Sequence, residues 1–256
     1  MPDFSHLVRE QKNNAEKKLL LHSSEIIALL EKTPAFDHGQ IQLTLETITR
    51  GQEQDLVRFG DGGELKALQT AEELDDYTYH VAGCVGEFWT HLTRRHCFPE
   101  AELNDPQFLT LAIRFGKALQ LVNILRDLPG DLEQGRCYLP EAELRLAGLT
   151  PQDLHSPENW PKLQTIYQPW KQKATEHLAA AWQYTLMIPH EHYRLRLACA
   201  WPILMGKRTL HLLDSANPLE QSPKRKISRS AVRSIIWSTV WRVPFKGQWL
   251  RLFGNN

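Results

Sequence analysis

Hydrophobic residues recur at steps of three and four along most of the chain, which is the spacing of one face of an α-helix. This pattern predicts long helices over residues 7–33, 39–58, 71–96, 106–128, 159–187 and 191–214. Residues 141–157 are interpreted as short helices with polar turns. The sequence shows no alternation of apolar and polar residues of the kind that half-buried strands have, and no internal repeat. The pattern therefore predicts an all-α protein.

The polar residues of the helix predicted over residues 106–128 share one face. At about 100° per residue, Gln120, Asn123 and Asp127 fall close together, and Asp131 follows them if the helix continues. Pro129 and Gly130 are residues that break helices, so we expect residues 129–140 to form a loop.

On an exposed helix, an acid and a base four residues apart attract each other and stabilise the helix, whereas two acids at that spacing repel each other. A pair of carboxylates four residues apart is therefore unusual. The like charges of Asp127 and Asp131 become favourable if a cation lies between them. Hard oxygen ligands without nearby His or Cys favour Mg²⁺, which binds one or two carboxylates together with phosphates. The alternative is an ordinary solvated helix face that runs into a turn.

The residues around this carboxylate pair resemble the second aspartate-rich motif of the squalene/phytoene synthase family, the head-to-head prenyltransferases. That motif reads Q-x-x-N-x-x-R-D-x-x-x-D and then G-R-x-Y-x-P, and this chain matches it from Gln120 to Pro140. Residues 77–86 are similar to the family's Tyr-x-Tyr-x-Val-Ala-Gly-x-Val-Gly block, and residues 48–56 resemble its Gly-x-x-x-Asp-Leu helix. The three blocks occur in the family's order, and the resemblance covers residues 15–215.

The resemblance implies a single-domain, isoprenoid-synthase-type helical bundle over residues 1–220, followed by a basic tail over 221–256. It also implies Mg²⁺-dependent condensation of two farnesyl diphosphates, through presqualene diphosphate, to squalene, with NADPH as the reductant. The wording of the motifs resembles bacterial squalene synthases more than phytoene synthases. A phytoene- or dehydrosqualene-type synthase, which loses a proton and uses no NADPH, is the alternative.

The resemblance also assigns roles to individual residues. The residues expected to be catalytic are Tyr77, Asp127, Asp131 and Arg136. Those expected to bind substrate are Val81, Gly83, Gln120, Asn123 and Tyr138, and the metal is expected at Asn123, Asp127 and Asp131. The resemblance implies that Asp55 lies near the active-site cavity. The alternative, which the sequence alone supports equally well, is a solvated acid near the C-terminus of its helix. The glycines at 83 and 86 predict the close approach of a neighbouring helix or of substrate.

One family feature is absent from the sequence. No DxxxD or DDxxD precedes residue 48, where a first aspartate-rich motif would bind a second metal–diphosphate cluster. We therefore expect an apparently truncated bundle and weak or absent condensation by this chain alone. A truncated gene model, a split enzyme and a shortened homologue are all consistent with this. A non-catalytic scaffold that binds prenyl diphosphates or a membrane is the alternative to an enzyme.

The composition is that of a soluble globular protein, with 42% hydrophobic and 23% charged residues. The sequence has no apolar run of 18 residues, and its start lacks the basic and apolar regions of a signal peptide. The four cysteines are scattered without metal-ligand spacing. These features predict a cytoplasmic protein with reduced thiols.

The formal net charge is zero, but its distribution is uneven. Residues 221–256 contain eight Lys and Arg and no acid, with several tryptophans and aliphatic residues among them. This composition favours a peripheral position on the inner face of a membrane. A last helix packed on the domain is the alternative, and nucleic acid is not expected as a partner because no recognition motif accompanies the charge.

Overall fold

The computed structural model describes residues 5–60, 64–214, 217–220 and 226–254. It confirms the predicted all-α class. The helices are α1 (Ser5–Glu10), α2 (Asn14–Leu21), α3 (Ser23–Leu30), α4 (Ala35–Phe59), α5 (Ala71–Thr78), α6 (Cys84–His96), α7 (Asp105–Glu133), α8 (Glu141–Leu146), α9 (Trp160–Met187), α10 (Tyr193–Leu212), α11 (Arg229–Arg242) and α12 (Lys246–Arg251). Short 3₁₀ turns, Pro151–His155 and Pro157–Asn159, connect α8 to α9.

The chain divides into two compact units, Met1–Leu45 and Glu46–Asn256. In the first unit, the prediction of one helix over 7–33 is wrong, because three short helices occupy that stretch. The side chain of Asn13 accepts hydrogen bonds from the backbone N–H groups of Ala15 and Glu16, which starts a new helix there. Neither α2 nor α3 buries a side chain.

Helix α7 is the central helix of the second unit, and it packs mainly against α9. The prediction that this helix ends at residue 128 is wrong, because α7 continues through Pro129 to Glu133. A proline has no N–H to donate to the carbonyl four residues earlier, which here belongs to Leu125. The phenol of Tyr167 donates to that carbonyl at 2.9 Å, so the buried acceptor keeps a partner.

Helices α5 and α6 form one continuous helix, as predicted, with a π-helical turn at Tyr79–Gly83 between them. This helix crosses α7 at very short range. A Cβ atom at Gly86 would lie 2.1 Å from the carbonyl oxygen of Ala112, and one at Gly116 would lie 2.1 Å from that of Ala82. The close helix approach predicted from the glycines is therefore confirmed.

Two short parallel strands were not predicted. Strand β1 (Lys66–Ala67) pairs with β2 (Arg136–Cys137), and the backbone N–H of Leu68 donates to the carbonyl of Cys137 at 3.0 Å. Strands of two residues are too short to give an alternating pattern in the sequence. The pairing fixes the segment after α7, which carries Arg136 and Tyr138.

The C-terminal helices α11 and α12 pack on the rest of the second unit. The indole of Trp201 donates to the hydroxyl of Thr239 at 2.9 Å, and Trp249 is buried with its ring stacked 5.5 Å from that of Trp182. The first five residues of the predicted 221–256 tail, and its last two, lie outside the described residues. Its predicted separation from residues 1–220 stays a prediction.

Within the described ranges, only α7 is long and apolar enough to cross a membrane by length and composition. Its buried side chains form the centre of the core: Phe108, Leu111, Ala112, Ala118, Leu121, Val122, Ile124, Leu125, Leu128 and Leu132. A core helix of a water-soluble protein passes the same test. All four cysteines are free thiols.

Candidate functional site

An apolar cavity of about 530 Å³ lies where the α5–α6 helix faces α7 and α10. Two polar side chains, Gln120 and Asn123, enter an otherwise apolar and aromatic lining. The lining residues are Val81, Ala82, Val85, Gly86, Trp89, Ala112, Phe115, Gly116, Leu119, Gln120, Asn123, Tyr184, Ala198 and Cys199. The cavity can therefore hold a hydrocarbon chain and contact a polar group at the Gln120–Asn123 face.

The carboxylate pair lies one and two turns after Asn123 on the same helix. Because α7 continues past Pro129, Asp131 is in helical phase with Asp127. The guanidinium Nε of Arg126 donates to Asp127 at 2.9 Å. Burial and then the negative charge of Asp127 raise the pKa of Asp131 to about 7. Without a cation, ionisation of both carboxylates is therefore unfavourable. A bound cation would offset the repulsion between their two negative charges.

Asp55 joins this cluster from α4. Its Oδ2 accepts hydrogen bonds from Nη1 of Arg136 at 3.3 Å and from the hydroxyl of Tyr138 at 3.2 Å. The side chain is only 13% exposed, so the interpretation of Asp55 as a solvated acid is wrong. Its Oδ1 is buried and has no hydrogen-bond partner among the described residues. Burial is the largest cause of the raised pKa of Asp55.

Tyr77 stacks on Tyr138 with ring centroids 4.7 Å apart, and Phe59 meets Tyr138 edge-on at 5.3 Å. Burial raises the pKa of Tyr77 well above its usual value, so its phenol stays protonated at neutral pH. Tyr77 thus lies against the carboxylate–arginine cluster as a neutral ring. It is not one of the residues that line the cavity.

The structure brings most of the predicted residues together, but in two groups. Gln120, Asn123 and Val81 line the cavity. The second group is the acidic cluster, which we define as Asp55, Tyr77, Asp127, Asp131, Arg136 and Tyr138. Gly83 belongs to neither group, since a Cβ atom there would meet the ring of Tyr79 at 3.0 Å and Ile113 of α7 at 3.3 Å.

Several cavity residues were not predicted from the sequence. Trp89 follows Val81 and Val85 at steps of four, so helical spacing from Val81 could have found it. Tyr184 and Cys199 reach the cavity from α9 and α10, and only tertiary packing brings them there. Burial raises the pKa of the Cys199 thiol to about 12, so this wall carries no thiolate at neutral pH.

The residues present fit a magnesium ion that takes further ligands from water and substrate. No group of three His, Cys, Asp or Glu side chains in the described part of the chain could hold a metal by itself. Mg²⁺ rarely has such an all-protein cage, and it is usually bound by one or two carboxylates plus phosphate oxygens. The carboxylates of Asp127 and Asp131, one helical turn apart on α7, are the oxygen donors available.

This all-α bundle, with an apolar cavity beside paired carboxylates, has the isoprenoid-synthase fold. The fold agrees with a solved ligand complex of TcSQS, with a TM-score of 0.73 and 20% identity, covering 95% of this chain and 70% of that one. The sequence model described as squalene/phytoene synthase matches residues 13–231, and the chain belongs to that family.

Curated relatives come from both branches of the family. A bifunctional lycopene cyclase/phytoene synthase of Gibberella fujikuroi is 37% identical over 124 residues, which cover 48% of this chain and 21% of the relative. A squalene synthase of Gibberella zeae is 34% identical over 131 residues, covering 49% of this chain and 26% of the relative. The chain thus spans about a fifth to a quarter of the length of these relatives.

Proposed function

We propose that this chain is a prenyltransferase that joins two farnesyl diphosphates head to head, through presqualene diphosphate, to squalene. One observation carries this proposal. The polar face of α7 runs from the apolar cavity, at Gln120 and Asn123, into the acidic cluster at Asp127 and Asp131. A prenyl diphosphate has this same division into a hydrocarbon chain and a charged end.

At the charged end, Asp127 and Asp131, with Asn123 beside them, would hold Mg²⁺. Bound there, the metal would supply positive charge to offset the negative charge of the departing diphosphate. Arg136 presents a planar guanidinium suited to two phosphate oxygens. Its Nη1 donates to Asp55, which also accepts a hydrogen bond from the hydroxyl of Tyr138.

At the apolar end, the cavity encloses the reacting prenyl chains. Trp89, Phe115 and Tyr184 present aromatic rings to it, and ring faces stabilise positive charge. An allylic cation formed there is kept from water by these walls, so the double bond of the second prenyl chain can attack it.

The first test concerns the carboxylate pair. We expect the wild-type protein to bind inorganic pyrophosphate only when Mg²⁺ is present, and Asp127→Asn to abolish that binding in calorimetry. Glu133→Gln, an exposed acid on the same helix, is the matched control and should bind as the wild type does. Unchanged affinity in Asp127→Asn would remove the metal role.

The branch of the family is decided by the product. Farnesyl diphosphate and Mg²⁺ with NADPH should give squalene, whereas dehydrosqualene or phytoene formed without NADPH would favour the alternative. Retained Mg²⁺-dependent binding of pyrophosphate with no product would favour a scaffold that binds prenyl diphosphates.

We also propose that the protein is cytoplasmic and peripheral on the inner face of a membrane. Farnesyl chains and squalene are apolar, and the last 36 residues carry eight basic residues and no acid. Residues 226–254 are the described part of that segment.

A further inference from the structure

Helix α11 has an inner and an outer face. Ile235 and Thr239 are buried, whereas Trp237 is 65% exposed and Trp241 is 69% exposed. Residues four apart lie on one helix face, so the two indoles stand next to each other, with exposed Val240 beside them. Contiguous exposed apolar surface of this kind marks an interaction site.

Exposed basic residues flank this apolar centre in the sequence. Exposed Arg233 precedes Trp237 by one helical turn. Beyond the end of α11, Phe245 is 55% exposed and Lys246 is exposed as well. The docking face, as we call it, consists of Arg233, Trp237, Val240, Trp241, Phe245 and Lys246. Indoles flanked by cations are typical of helices that lie in the headgroup region of anionic lipids.

Buried residues on the inner side of α11 and α12 hold the docking face in place. Besides the Trp201–Thr239 hydrogen bond, a ring nitrogen of His190 lies 3.2 Å from the carbonyl oxygen of Val243, and Trp249 and Leu252 are buried in the core. Contacts within the chain therefore fix the inner side of this segment, and the outer side remains exposed. Trp201 belongs to α10, and the same helix lines the cavity with Ala198 and Cys199.

We propose that the docking face lies on the surface of an anionic lipid bilayer, with α11 in the plane of the membrane and its indoles at headgroup depth. This inference rests on the proposed peripheral location and names the residues that produce it. A second copy of the chain is a poorer occupant, because a two-fold contact would bring the same basic residues face to face. Nucleic acid is poorer too, because the centre of the face is apolar.

The experiment is cosedimentation of the full chain with phosphatidylcholine vesicles, with and without phosphatidylglycerol. We expect binding only to the anionic vesicles. The double variant Trp237→Ser/Trp241→Ser should weaken it by about tenfold or more, because two large apolar side chains no longer enter the interface. Arg233→Ser should weaken binding by about fivefold, since each cation near an anionic surface contributes about that factor.

Matched controls separate the face from general surface properties. Leu146→Ser removes an apolar side chain that is 89% exposed on α8, and Lys162→Ser removes an exposed cation on α9. Both should bind vesicles as the wild type does. Circular dichroism should show all variants folded, because the replaced side chains face solvent.

Three results would overturn the proposal, each in a different way. No binding by the wild type refutes both the peripheral location and the docking face. If the wild type binds anionic vesicles and the tryptophan variant binds them equally well, the peripheral location is supported but this docking face is refuted. A dimer in light scattering that dissociates in the tryptophan variant, without vesicle binding, would identify the face as a contact between copies.

Discussion

Asp55 shows how one side chain organises the acidic cluster. It lies on α4 and accepts hydrogen bonds from Arg136 and Tyr138. Arg136 belongs to strand β2, which follows α7, and Tyr138 comes directly after that strand. Burial makes its ionised form unfavourable in the folded protein, as its raised pKa shows. A carboxylate kept at such a cost in stability is typical of a functional site. We therefore infer that Asp55 positions Arg136 for the diphosphate.

That inference predicts different effects for two substitutions of Asp55. Asp55→Ala leaves Tyr138 and Arg136 without their acceptor and should lower the free energy of unfolding by about 1–3 kcal/mol. Asp55→Asn keeps an acceptor and removes the buried charge, so its stability should equal or exceed that of the wild type. Urea unfolding at pH 7 measures both.

Glu53→Ala, an exposed acid on the same helix, is the control and should change stability by less than about 0.5 kcal/mol. If Asp55→Asn were as unstable as Asp55→Ala, the ionic attraction of Asp55 to Arg136 would outweigh the cost of its burial. The inference that the carboxylate costs stability would then be wrong.

At the scale of one helix, α7 depends on a side chain from α9 to remain intact at Pro129. Tyr167→Phe should cost about 1–3 kcal/mol, because the buried carbonyl of Leu125 loses the donor that replaces the missing helical N–H. In a Pro129→Ala background the same change should cost much less, since the alanine introduced there can supply the helical N–H. A double-mutant cycle by urea unfolding measures the difference, and equal costs in both backgrounds would refute the explanation.

At the scale of two helices, the crossing of α6 and α7 depends on glycine. Gly116→Ala would place a methyl group 2.1 Å from the carbonyl oxygen of Ala82, so the helices must separate, at a cost of about 3 kcal/mol or more. Gly130→Ala, on the same helix, meets no atom within 4 Å and should stabilise the protein by about 0.5–1 kcal/mol through helix propensity. Thermal unfolding of the two variants should therefore shift in opposite directions.

These elements also show which structural features can be predicted from sequence. Helical spacing found α4, α7, α9 and α10, and it put Gln120 and Asn123 on one face of α7 with Asp127. That this face meets a cavity was implied only by the family resemblance. Helical spacing failed at Pro129, because the partner that preserves the helix, Tyr167, is 38 residues away in sequence. Helical spacing also could not show that Asp55 is buried, because its partners Arg136 and Tyr138 are distant in sequence. They lie in and directly after β2, and a strand of two residues has no periodic pattern.

At the scale of the whole second unit, the proposed site and the proposed docking face are connected through one helix. The cavity and the acidic cluster are built on α7, and the docking face is carried by α11. Helix α10 lies between them, with Ala198 and Cys199 in the cavity wall and Trp201 bonded to α11. An apolar product released from the cavity would thus form close to the surface that is proposed to contact lipid.

Global stability should depend on pH through His177, which links the two largest helices. Nε of Arg114 donates to its Nδ1 at 3.0 Å, and its Nε2 is buried without a hydrogen-bond partner in the described part of the chain. Burial, and then the positive charges of Arg114, Lys173 and Lys117, lower the pKa of His177 to about 4, although Asp75 opposes them. The imidazole is therefore neutral in the folded protein at pH 5 and 6.

The unfolded chain binds a proton at His177 near pH 6.5, whereas the folded protein binds it only near pH 4. This contribution to stability is complete above pH 6.5 and is lost as the pH falls to about 4, at no more than about 1.4 kcal/mol per pH unit. His177→Gln should flatten the decline in urea unfolding between pH 6.5 and 4.5, while His155→Gln, an exposed histidine, should leave it unchanged. An equally steep decline in His177→Gln would show that other groups take up the protons, because a glutamine cannot titrate.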